Sequence, residues 1–161
     1  MAPDNARNEI VPSLLDRLID DHPELSHEPL SSRFYDVRQL EASVARDLES
    51  MLNTRQERLE ELAAEFVETG KSLLAYGLPD FTTYNLLAPD DRNRLRRAIE
   101  NAIARFEPRL QRVRVSMETP NQTDHSLRFR IEALLRVDPA TEPVTFDTIL
   151  QLQTQEYTVA R

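Results

Sequence analysis

The chain has 161 residues, no cysteine and a formal net charge of −8. That length suits one domain with extensions and a core that needs no covalent staples, and the missing cysteine excludes disulfides and thiolate metal sites. The acidic balance argues against general nucleic-acid binding, and no apolar run approaches the roughly 20 residues a bilayer span requires.

Residues 1–9 are polar and aperiodic, with no signal-peptide core, so a cytoplasmic protein is expected. Pro12 to Ile19 reads as a short helix with Leu14, Leu15, Leu18 and Ile19 on one face. Such a helix is too short to stand alone and should dock on something. Asp21 to Asp36 carries two prolines, two histidines and several serines, the composition of an extended arm. The chain therefore divides into an N-terminal helix and arm, 1–36, and a main domain, 37–161.

Asp36 is placed to N-cap a helix over Val37–Leu52, where Leu40, Val44, Leu48, Met51 and Leu52 recur at helical spacing. Asn53 fits the position after that helix, where the left-handed conformation is tolerated. Arg58 to Glu68 has helical spacing as well. Tyr76-Gly77-Leu78-Pro79-Asp80-Phe81 is turn chemistry, with Gly77 free to take positive φ and Pro79 setting the next bend. Tyr76 and Phe81 are expected to be buried by it. Pro89, Asp90 and Asp91 open a helix whose stripe of Leu95, Ala98, Ile99, Ala102, Ile103 and Phe106 should lie at the centre of the core.

Pro108 ends that helix, because its ring clashes with the preceding turn and Glu107 before it is pushed out of helical dihedrals. After the corner the period becomes two. Val113, Val115 and Met117 alternate with polar residues, as do Leu127 to Val137. A loop over Asp138–Pro143 should then lead into a third strand from Val144 to about Tyr157. The fold class is α+β, with N-terminal helices packed on one face of a C-terminal three-stranded antiparallel meander.

The residues that carry chemistry are few. His22, His27 and His125 fall in predicted loops without a ligand constellation, so no metal is expected. There is no Gly-rich phosphate loop and no nucleophile elbow, and no cofactor is expected. Residues 92–114 hold eight Arg and two Glu, a bias that suits an oriented charged partner; nucleic acid is the weaker alternative, because no aromatics interleave those arginines. Glu107 invites comparison with the acid of a lysozyme-type glycoside hydrolase. That chemistry uses two facing carboxylates and an acid that keeps its proton, whereas Arg105 and Arg109 beside Glu107 favour the ionised form. An enzyme is not expected.

Three motifs occur in order: Met51-Leu52-Asn53-Thr54-Arg55, Ser72 to Phe81, and Glu107-Pro108-Arg109-Leu110 before a strand. With Phe146-Asp147-Thr148, they resemble the TssE family, small baseplate wedge subunits of bacterial type VI secretion systems, similar to a wedge protein of contractile-tailed phages often labelled lysozyme-like. The resemblance implies a cytoplasmic structural protein on the cytoplasmic side of the envelope-anchored apparatus. It implies partners TssF and TssG in the wedge, and TssB and TssC of the sheath, whose first ring the sheet would template by strand addition. Membrane insertion is not implied. It also implies that Glu107 and Arg109 are contact charges mounted on Pro108 and held outward. Asn53, Thr54 and Arg55 read as a helix terminator, Arg55 bonding carbonyls at the helix end. Tyr76, Gly77, Pro79 and Asp80 read as a chain reversal.

Overall fold

A computed structural model describes residues 10–19, 23–24, 34–56, 68, 72–118, 126–137 and 140–160. His22, His27, His125 and nearly all of the segment 57–71, including the expected Arg58–Glu68 helix, lie outside the described residues.

Among the described residues three α-helices precede the sheet: α1 (Leu14–Leu18), α2 (Val37–Leu52) and α3 (Pro89–Phe106), with a short 3-10 turn over Leu73–Ala75. Asp36 caps α2 as its sequence indicates. Its Oδ1 accepts from the Gln39 N–H at 2.8 Å, and the Gln39 side chain returns the bond to the Asp36 N–H at 2.9 Å, which satisfies two donors that a helix start otherwise leaves bare. In α3, Pro89 sits in the first turn with Asp90 and Asp91 beside it, where acids oppose the positive helix end.

The sheet is antiparallel and α+β as expected, but it has four strands: β1 (Leu110–Met117), β2 (Ser126–Val137), β3 (Ala140–Gln151) and β4 (Glu156–Ala160), in the order β1-β2-β3-β4. The predicted third strand is two. A turn at 152–155 breaks it, with Gln155 at φ 61° and its N–H bonded to the Gln151 carbonyl at 2.7 Å. Leu-Gln-Thr-Gln contains no Gly, Pro or Asn, so this turn leaves no mark in composition. β3 also starts earlier than expected, at Ala140, and takes in Pro143 opposite Leu134. β4 reaches only to Ala160 opposite Asp147. Pro143 thus lies where β3 has no β4 neighbour, and its missing N–H removes no ladder bond on that side.

One face of the sheet buries Leu127, Phe129, Ile131, Leu135, Phe146 and Leu150 against Val44 and Leu48 of α2 and Leu95, Ile99 and Ile103 of α3. Leu110 and Val115 both join this core. They are an odd number of positions apart, so strict alternation would put one of them on the solvent face. A bulge between Gln111 and Arg114, with Arg112 at φ 52°, resolves the conflict.

Candidate functional site

The corner between α3 and β1 is built as its sequence requires. The Glu107 N–H closes the helix on the Ile103 carbonyl at 2.9 Å, and the Leu110 N–H returns to the Glu107 carbonyl at 3.1 Å. Its charges, however, turn inward. Glu107 is only 5% exposed. Its carboxylate accepts from the Arg109 N–H at 3.2 Å, from Nε at 2.7 Å and from Nη2 at 2.5 Å. The expectation of two charges held outward by Pro108 is therefore corrected: Pro108 bends the backbone tightly enough for Arg109 to fold back on Glu107, and a desolvated carboxylate has to find a donor.

Arg109 also reaches α2, donating to Asp47 Oδ2 at 2.6 Å and to Ser43 Oγ at 3.3 Å. Burial opposes the guanidinium charge, but the hydrogen bonds and charges of Glu107 and then Asp47 outweigh it and hold the Arg109 pKa above its ordinary value. The ionic chain continues. Arg46 donates from Nη2 to Asp47 at 3.0 Å and to Asp16 of α1 at 2.5 Å, so one line of charges runs Glu107–Arg109–Asp47–Arg46–Asp16. Asp16, whose side chain has no exposed surface, also accepts from Ser43 Oγ at 2.8 Å and from Ser13 Oγ at 2.7 Å. Burial pushes the Asp16 pKa up, but these bonds and the Arg46 charge prevail and hold it at about 2.

Tyr76 joins this neighbourhood from the glycine turn. Its ring meets Phe106 edge-on at 5.3 Å. Its pKa is raised, first by burial and then by the nearby charges of Asp47 and Glu107. Tyr76 and Phe81 are half-buried rather than fully enclosed.

The other two motifs lock onto each other. The Leu78 N–H donates to the Thr54 carbonyl at 2.9 Å, and the Gln56 N–H donates to the Leu78 carbonyl at 2.8 Å. Gly77, at φ +97°, passes so close that a Cβ there would lie 2.2 Å from the Thr54 oxygen; only glycine fits. Pro79 is exposed beyond this crossing, and Asp80 turns the chain by accepting from the Thr82 N–H at 3.0 Å. Asn53 is the C-cap of α2 at φ −82°, right-handed rather than left-handed. Its amide instead brackets β4, donating to the Tyr157 carbonyl at 2.9 Å and accepting from the Tyr157 N–H at 2.8 Å. Arg55 is bonded to the Gln155 side chain rather than to helix carbonyls. The Glu49 carboxylate accepts from the Val159 N–H at 2.9 Å, and across the sheet Glu100 accepts from the Val115 N–H at 2.9 Å. Helix side chains thus occupy outward main-chain groups of both outer strands, a device that blunts edge-to-edge pairing.

This arrangement does not resemble a hydrolase site. The second carboxylate near Glu107 is Asp47, but Arg109 stands bonded to both of them. The cationic 92–114 stretch is also largely committed to its own chain. Arg92 donates to the Leu86 and Leu87 carbonyls at 3.0 Å, and Arg96 grips Glu100 at 2.9 Å. Among the described residues no group of three His, Cys, Asp or Glu is arranged to hold a metal ion, and no helix is long and apolar enough to cross a membrane.

The family model described as "Baseplate wedge protein gp25" matches residues 38–140. Comparison with curated proteins gives no match. A chain from a solved structure titled "The baseplate complex from the type VI secretion system" covers 71% of this chain and 96% of its own length, at 23% identity and a TM-score of 0.48.

Proposed function

The chain belongs to the gp25 family of baseplate wedge proteins, which makes it a structural baseplate component, and on that premise we propose that it serves in the baseplate of a contractile type VI secretion apparatus. In this role it joins the TssF–TssG wedge on the cytoplasmic side of the envelope and templates the first ring of TssB–TssC sheath. The family match across residues 38–140, which spans the corner and strands β1 and β2, carries the reading. The order of the Asn53-Thr54-Arg55, Gly77-Leu78-Pro79 and Glu107-Pro108-Arg109 motifs supports the type VI branch.

Glu107, Pro108 and Arg109 act here by shaping the wedge-facing surface. Their ion pairs fix how α2, α3 and β1 meet, and a preorganised surface loses less on binding. For the sheath, the short part of β3 between Pro143, which has no N–H to donate, and the end of β4 suits a partner strand, because main-chain pairing at a sheet edge asks little of sequence. Thr145 faces that side through its main chain, in register with Asp147 and Ile149, which pair with β4.

Sheath assembly in cells tests this function. In a strain lacking the chain, fluorescent TssB should form no extended sheaths, and the wild-type chain should restore them. Normal sheath assembly without the chain would refute the templating role.

A further inference from the structure

The stretch 10–19 is fastened to the domain by polar bonds rather than by the leucines of its helix. Within α1 the buried residue is Asp16, while Leu14, Leu15 and Leu18 are exposed. Before the helix, Ile10 and Tyr35 exchange backbone hydrogen bonds at 3.3 and 2.8 Å. Detaching α1 therefore gives up the Asp16 clamp and no buried leucine surface, so this part of the chain opens more readily than the core.

The clamp shares two groups with Arg109. An ionised carboxylate only accepts, so Ser43 donates its one hydroxyl proton to Asp16 Oδ2 at 2.8 Å. Its lone pairs are left for Arg109, whose Nη1 donates to Ser43 Oγ at 3.3 Å. Arg46 Nη2 is likewise divided, between Asp16 Oδ1 at 2.5 Å and Asp47 Oδ1 at 3.0 Å, while Asp47 Oδ2 accepts from Arg109 at 2.6 Å. Without the Asp16 carboxylate both links weaken together. The Ser43 hydroxyl is no longer held as an acceptor for Arg109, and Arg46 turns wholly to Asp47 and competes there with Arg109. Ser43 is 4% exposed and the Asp16 side chain has no exposed surface, so water does not readily replace either bond.

We propose that α1 is a latch on the corner: docked, its Asp16 locks Arg109 onto α2 through Ser43 and Arg46, and released, it frees Arg109 from α2 and leaves it to Glu107. Coupling between two sites is reciprocal, so loosening Arg109 also loosens α1. The latch is a property of the isolated chain and holds whatever the corner binds, so its failure and the failure of the wedge function are separate results.

Nuclear magnetic resonance of the full chain tests the latch. Rotation of the Arg109 guanidinium about Nε–Cζ is read at its Nη nitrogens, and the signal is identified by its loss in Arg109→Lys. In Asp16→Asn this rotation should be about fivefold faster or more, the rate equivalent of one net hydrogen bond. Ser43→Ala, which removes the shared hydroxyl and keeps every charge, should act in the same direction. In the other direction, a five-residue helix does not hold without its dock, so release of α1 is read at its Arg17 and Ile19 amides, bonded to the Ser13 and Leu15 carbonyls. Both amides should exchange with solvent about fivefold faster in Arg109→Lys. Asn53→Ala, which weakens the fold at β4 and touches no group of the clamp, should change neither rate by as much. Unchanged rotation in Asp16→Asn or Ser43→Ala, unchanged α1 amides in Arg109→Lys, or equal acceleration of both by Asn53→Ala overturns the latch.

Discussion

Arg109 donates to Asp47 at 2.6 Å, tying the corner between α3 and β1 to the middle of α2. Because Arg109 also holds the buried Glu107, removing it strands that carboxylate and leaves Asp47 with Arg46 alone. Arg109→Glu and Glu107→Lys should each cost about 3–5 kcal/mol, the range for breaking a buried pair from one side, and Asp47→Ala less, about 1–3 kcal/mol. Thermal melting checks the order. Variants that melt with the wild type would show that these charges do not support the fold.

Gly77 gives a sharper test of local geometry. Gly77→Ala meets both a positive φ and the Thr54 carbonyl, with no flexible atom to yield. It should destabilise by more than about 2 kcal/mol, read by denaturant unfolding. A neutral result would mean that the crossing of residues 54–56 with 77–78 relaxes freely.

Acid should loosen α1. The Asp16 pKa is about 2 in the fold against an ordinary 3.8, so its contribution is present above 3.8 and is lost as pH falls through that window toward 2. A shift of this size corresponds to about 2 kcal/mol. Stability measured from pH 5 to pH 2 should fall more steeply for the wild type than for Asp16→Asn. Parallel curves would show that the Asp16 carboxylate does not hold α1 in place.

Much of this fold is legible in sequence and some of it is not, for identifiable reasons. Helix α2 over Val37–Leu52 follows from its cap and apolar period, and Pro108 marks the end of α3 because proline leaves the chain few choices. The pairing of Asp47 with Arg109 spans 62 positions, and nothing local distinguishes Asp47 from any polar-face residue. The burial of Asp16 contradicts the period of its own helix; only a Ser-x-x-Asp capping pattern hints that its carboxylate is engaged. The separation of β3 from β4 is set by pairing and by a strained Gln155, which composition does not announce.

Asn53 shows how a residue read as a helix terminator works at a distance. Asn53→Ala would leave the Tyr157 N–H and carbonyl without their α2 partner, costing about 1–3 kcal/mol and exposing the β4 edge. Sedimentation should reveal concentration-dependent self-association in this variant and not in the wild type. Identical behaviour would show that Asn53 does not guard the edge.

Co-expression with TssF and TssG followed by size-exclusion chromatography decides whether this chain is a wedge subunit. A wedge subunit should elute with both in a single stable complex containing all three proteins. Elution of the chain alone, with TssF and TssG together in a separate peak, would contradict it.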